Sequence, residues 1–152
     1  MDDLEAFLAD VMPRLSAWCK AVHDGDIGEH QALWSHLDPV TLFGNAVPAA
    51  RGWTDVSGGS AWVASNFRRS ESLEYDVLAA GVSGDLGYVA GIERSVVTTA
   101  QHDEPVSSTL RVTTVFRRED GDWKVVHRHG DRYHPPAGQE LTGERWSTRG
   151  RL

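Results

Sequence analysis

From Leu73 onward the apolar residues recur every second position, whereas before it they recur every third or fourth. That switch limits the fold more than any other feature of the chain, because it marks where helix gives way to strand. Four strands are predicted beyond it, over 73–82, 86–99, 106–118 and 123–133. They are separated by Ser83-Gly84-Asp85, Gln101-His102-Asp103-Glu104 and Glu119-Asp120-Gly121-Asp122. A parallel crossover needs a dozen or more residues, so links this short imply an antiparallel meander.

The first half reads as helices. Leu4, Phe7, Leu8, Val11, Met12, Leu15, Trp18, Cys19 and Val22 form one helical stripe. Pro13 lies within it and is expected to kink or split the helix, since proline removes a backbone donor. His23-Asp24-Gly25 ends the element. A second helix is predicted from Asp26, with Glu29 as capping-box partner and Ile27, Leu33, Trp34 and Leu37 on its apolar side. Val40-Thr41-Leu42-Phe43 reads as a short strand. A third helix is expected from Thr54 or Asp55 to Arg69, with Val56, Trp62, Val63 and Phe67 inward and Gly58-Gly59 weakening it. Helices followed by a meander make an α+β fold whose sheet buries one face against the helices. The domain is expected over 1–136. Residues 137–152 are expected to form a polar tail, with Trp146 the one residue able to pin it.

Composition excludes several roles. Net charge is −7, with 22 acidic against 15 basic residues, so a nucleic-acid partner is not expected. No run approaches the ~18 apolar residues of a membrane span, and the acidic start Met1-Asp2-Asp3-Leu4-Glu5 does not read as a signal peptide. The single cysteine, Cys19, allows no internal disulfide and suits a cytoplasmic protein, where it reads as a small buried apolar residue. No phosphate-binding loop or nucleophile elbow is found: "GVSGDLG" joins two strands, and "SGGSAW" lies inside a predicted helix.

The last predicted strand, within "DGDWKVVHRHGD", concentrates the groups able to do chemistry. His127, His129 and Asp131 alternate onto one face. Three readings compete for them: a metal site, a pocket with histidine as acid or base near neutral pH, or hydrogen bonds across the sheet or a subunit contact. Three ligands on alternate residues of a flat strand do not converge easily on one ion, so no metal is expected.

The element order, with "HDGDIGEHQALW" and the hairpin "RVTTVFRREDGDWKVVHRHGD", resembles the SnoaL-like branch of the nuclear transport factor 2-like superfamily. The likeness covers roughly residues 4 to 134. Its most specific part runs from Thr114 to His129 as T-x-x-x-R-x-x-G-x-W-x-x-x-H-x-H. The resemblance implies an NTF2-like cone, a curved antiparallel sheet wrapped around N-terminal helices with a cavity at its open end, and a homodimer through the sheet. It also implies either small-molecule chemistry without a cofactor or, as in kinase association domains, assembly alone. Steroid isomerases of this superfamily carry a tyrosine, a general-base aspartate and a protonated aspartic acid. Alignment places Trp18, Phe43 and Thr114 at those positions. Phenylalanine cannot take a proton, which argues against ketosteroid isomerase chemistry.

Matching the hairpin to these relatives points Val126, Arg128 and Gly130 into the cone, opposite Thr114, with Glu93 joining them from the second long strand. Glu93 and Arg128 should then pair, because neither charge tolerates burial alone. The candidates for polar chemistry are therefore Glu93 and Arg128, with His127, His129 and Asp131 behind them. Trp18, Trp34, Phe43, Trp62, Phe67, Thr114 and Val126 are the candidate contacts to a small, partly hydrophobic organic ligand. The chemistry expected is of isomerase, cyclase or hydratase type. The alternative is a non-catalytic binding or homo-oligomerisation module. His23 and His30 read as surface groups.

Overall fold

The computed structural model describes the backbone of all 152 residues and every side chain except that of Glu29. Helix α1 spans Asp3–His23 and is opened by a capping box: Asp2 accepts from the Glu5 amide, and the Glu5 side chain accepts from the Asp2 amide. It runs through Pro13 without a break. The lost hydrogen bond is offset by the stripe Phe7, Leu8, Val11, Met12, Leu15, Trp18, Cys19 and Val22, all buried.

The second helix predicted from Asp26 is reduced to a single 3-10 turn, Glu29–Leu33. The Asp26–Glu29 capping pair falls outside the described side chains. Asp26 instead accepts from the Gly28 amide. Leu33 and Trp34 are buried as expected, but Leu37 lies past the turn and is exposed. Strands β1 (Thr41–Gly44) and β2 (Ala50–Arg51) lead into α2 (Trp53–Ser65). The buried stripe of α2 is Val56, Ser60 and Ala64, not Trp62, which is 57% exposed. Six residues past Val56, at 100° per residue, Trp62 lies far round the helix from the inner face. Gly59 serves packing: a Cβ there would meet the Val47 side chain at 3.1 Å.

The meander comprises β3 (Phe67–Ser83), β4 (Leu86–Thr99), β5 (Val106–Glu119) and β6 (Asp122–Arg132), all antiparallel. The first of these begins six residues before the predicted start, since 67 replaces 73. Three register shifts between it and β4 break the period of two that marks a strand in sequence. The β5–β6 turn places Asp120 at φ 51° and Gly121 at φ 80°, the left-handed pair a two-residue hairpin favours. The sheet order is β2-β1-β6-β5-β4-β3-β7-β8, with β1 parallel to β6.

Two strands in that order come from the segment expected to be a loose tail. Strands β7 (Glu144–Ser147) and β8 (Gly150–Arg151) pair along the free edge of β3, with Trp146 opposite Tyr75. Trp146 is buried in the main core. On the outer face Asp76, fully buried, binds Arg94 and Arg145, and Arg94 also donates to the Leu141 carbonyl at 3.1 Å. Burial would raise the Asp76 carboxyl, and the two guanidinium groups more than offset it, leaving it below the usual carboxylate range.

Core packing grades along the molecule. Phe7 meets Trp123 and Phe116 edge-on, with ring centroids 4.9 and 5.4 Å apart. Gly87 leaves the room for it, since a Cβ there would lie 2.8 Å from the Phe7 ring. Trp18 and Trp34 follow, 5.7 Å apart, and beyond them the interior is hollow. No helix among the described residues is long and apolar enough to cross a membrane.

The C-terminal segment is structural if this packing is right. Trp146→Ala should lower the free energy of unfolding by about 3–5 kcal/mol, whereas Trp62→Ala should change it by less than about 0.5 kcal/mol. Urea denaturation of the two variants compares them directly.

Candidate functional site

One residue in β6 decides what enters the hollow. Val115 pairs with His127 and the next residue, Phe116, pairs with Val125. Val126 is thus an extra residue on β6, a β-bulge. Strict alternation would put Trp123 and Val125 on the face opposite Arg128 and Gly130. With the bulge, Trp123, Val125, Arg128 and Gly130 are all buried on the inner side. Val126 is spent on the bulge and does not line the cavity, which corrects its expected role.

The cavity has a volume of about 390 Å³ and opens between α1, α2, β1 and the distal ends of β4, β5 and β6. Of the residues singled out from sequence, Trp18, Phe43, Phe67, Glu93 and Arg128 line it. Arg128 donates from Nη2 to Glu93 Oε2 at 2.8 Å, with both side chains nearly inaccessible. Cys19 Sγ donates to the same oxygen at 3.4 Å. The Arg128 guanidinium also sits 5.5 Å from the Trp18 ring centroid, within cation–π range. Burial alone would raise the Glu93 carboxyl. The charges of Arg128 and His23 and the hydrogen bonds from Arg128 and Cys19 together outweigh it, so Glu93 titrates below its ordinary value. Burial and the Glu93 charge drive the Cys19 thiol well up, so it stays protonated. The Trp18 Nε1 and Arg128 Nη1 atoms are buried with no hydrogen-bond partner among the described residues.

The remaining candidates lie elsewhere. Trp34 is 1% exposed and packs in the solid core. Trp62 faces outward from α2, as its helical phase requires. Thr114 is fully buried beneath the cavity, and its Oγ1 has no partner among the described residues. His127, His129 and Asp131 are on the outer face of the sheet, where the bulge leaves them. His127 Nδ1 is 2.7 Å from Thr41 Oγ1, and Arg111 grips Asp131 through two hydrogen bonds at 2.9 and 2.7 Å. Desolvation, then the charge of His129, lowers the His127 pKa. The Phe43 ring meets both imidazoles, at 5.0 and 5.7 Å, so only part of Phe43 borders the cavity.

His23 was read as a surface group and is instead a wall of the cavity. It stacks edge-on against Phe67, 5.0 Å between centroids, and its Nδ1 is buried without a partner among the described residues. Burial lowers its pKa. The signal was in the sequence: Trp18, Cys19, Val22 and His23 are neighbours on one helical face. Arg132 and His102 lie at the mouth and were also missed.

The SnoaL-like domain matches residues 11–130. Three solved structures are similar in fold. One is a nuclear transport factor 2-like superfamily protein from Salmonella enterica serovar Typhimurium, at 15% identity and TM-score 0.68, covering 86% of this chain and 94% of that one. Another is a ketosteroid isomerase-like protein from Erwinia carotovora, at 19% identity and TM-score 0.63, covering 84% and 97%. A third is the association domain of C. elegans CaMKII, at 16% identity and TM-score 0.63, covering 86% and 98%. No curated protein matches the sequence.

Removing one member of the buried pair strands the other. Glu93→Gln should cost about 3–5 kcal/mol of stability at pH 7. Because the folded Glu93 pKa is depressed, its contribution is complete above the unfolded value of about 4.3 and is lost as pH falls through the lower folded value. Urea unfolding between neutral and acid pH should therefore show a shallower acid loss in Glu93→Gln than in the wild type.

Proposed function

The chain belongs to the SnoaL-like domain family, and on that premise we propose that its cone binds a small, partly hydrophobic organic molecule and acts on it by acid–base chemistry of isomerase, cyclase or hydratase type. The observation that carries this reading is the hollow itself. Aromatic and aliphatic walls enclose about 390 Å³ around a buried Glu93–Arg128 pair, which is the make-up of a ligand pocket with a polar anchor. Trp18, Phe67, Val22 and Leu42 would hold the apolar body of the ligand, and Arg128 and Glu93 would orient its oxygen-bearing end. No cofactor enters the proposal.

A homodimer through the outer face of the sheet is part of the same reading. Thr41, His127, His129, Arg111 and Asp131 cluster there, outside the cavity. The CaMKII association domain shows that a protein of this fold can serve assembly. A cytoplasmic setting is supported by the one cysteine, a buried free thiol.

The two faces can be tested apart. Calorimetry against a panel of small aromatic and polyketide-like acids should find binding that Arg128→Met weakens at least tenfold. The double variant His127→Ala/His129→Ala should keep that binding but lose the dimer in analytical ultracentrifugation. Absence of binding by any member of the panel would end the ligand reading, and loss of binding with an intact dimer would reverse the assignment of the faces.

A further inference from the structure

We propose, resting on the reading of the cone as a ligand site, that its ligand is a monocarboxylic acid with an apolar body, and that Arg132 at the mouth is the residue that selects for the acid.

Three residues of the cavity wall carry a fixed charge: Glu93, Arg128 and Arg132. Glu93 and Arg128 neutralise each other at 2.8 Å. Two cations less one anion leave the lining with a single positive charge, in a chain whose net charge is −7. That charge is Arg132. Arg94 on β4 and Arg111 on β5 are held by Asp76 and Asp131, but no carboxylate holds Arg132 among the described residues.

Position along β6 places this charge at the rim. Arg128, Gly130 and Arg132 alternate onto the inner face, the first two buried and the third exposed. Four residues at about 3.3 Å each set the Cα atoms of the two arginines about 13 Å apart. The rest of the wall supplies apolar surface from Val22, Leu42, Phe67, Val97 and Leu110. A ligand anchored by its charged end at Arg132 would therefore put its apolar body into the hollow.

An acid end suits the mouth and not the depth. Arg128 is already paired, so an ionised carboxylate brought down to it would be repelled by Glu93, whereas an uncharged oxygen would not be. Water still reaches Arg132, so an anion bound there sheds only part of its hydration. The planar guanidinium matches the two oxygens of a carboxylate. One fixed cation balances one negative charge, which favours a carboxylate over a phosphate monoester carrying nearly two. The net charge of the chain repels anions at long range, and the cation at the rim opposes that repulsion where the ligand enters.

The test is calorimetry on the full chain at pH 7, with three probes of one shape: 2-naphthylacetate, its amide 2-naphthylacetamide, and the cation 2-(2-naphthyl)ethylammonium. The wild type should bind the acid about tenfold more tightly than the amide and the cation most weakly. Arg132→Gln should weaken the acid about tenfold, to the Kd of the amide, and leave the amide unchanged. Arg132→Lys should restore part of the preference, because it keeps the charge without the planar fork. Added salt should narrow the gap between acid and amide in the wild type, since the contact is exposed. Equal binding of acid and amide by the wild type, or a preference for the acid that survives Arg132→Gln, would overturn the proposal and leave the ligand site standing. So would loss of acid and amide together in Arg132→Gln, the mark of a residue that shapes the site without reading charge. Binding of none of the three probes would overturn it as well, and the ligand site falls with it only if the wider panel of acids also fails to bind.

Discussion

Val126 is the extra residue on which the inside of this cone depends. A β-strand without a bulge sends alternate side chains to opposite faces, so β6 could deliver either Trp123 and Val125 inward or Arg128 and Gly130, but not both sets. The bulge lets it deliver both. Two segments dock on either side of it. Below, Trp34 bridges to Val125 and the Ser35 amide donates to the Val125 carbonyl at 2.9 Å. Above, β1 pairs in parallel from His127 to Gly130. The irregularity is therefore held by backbone hydrogen bonds from outside the meander, and the same strand serves a packed end and a hollow end.

The packed end supplies the stability that the hollow end lacks. Helix α1 runs the length of the cone, from Phe7 among Phe116 and Trp123 to His23 in the cavity wall. Along it the partners change from interlocked rings to empty space. An interior with about 390 Å³ unfilled gives up dispersion and hydrophobic contact that a filled one would have. Part of the compensation lies at the edge of the sheet. Strands β7 and β8 cover the side of β3, bury Trp146, and fasten the outer face through Asp76 and its two arginines. This also covers the middle of the β3 edge, at Tyr75–Val77, against pairing by another chain.

How far the sequence revealed this depends on whether a feature is periodic. The α1 stripe and the meander repeat, so both were legible; the pairing of Glu93 with Arg128 followed from the family resemblance, which turned both inward, and from the cost of burying either charge alone. Trp62 was misplaced although its helical phase against Val56 was available. His23 was missed because an imidazole at a helix end usually meets water, yet it shares a face with Trp18, Cys19 and Val22. The bulge at Val126 was not legible: nothing in "WKVVHRH" marks which of its residues is the extra one, since Val125 and Val126 are alike. The return of residues 144–151 to the sheet was concealed by a polar, glycine-bearing stretch in which only Trp146 spoke for burial.

The Glu93–Arg128 pair is the feature least suited to a purely structural role. Taking a carboxylate and a guanidinium out of water costs several kcal/mol for each ion, and their attraction returns this in full only when the remaining donors and acceptors are also satisfied. Here Arg128 Nη1 is left without a partner among the described residues, and so is the neighbouring Trp18 Nε1. Two apolar side chains of similar volume would fill the same space at no such cost, and they would plug the hollow as well. A fold selected only to be compact would gain by that exchange. The pair instead keeps two charges and, among the described residues, N–H groups without partners at the wall of an empty volume.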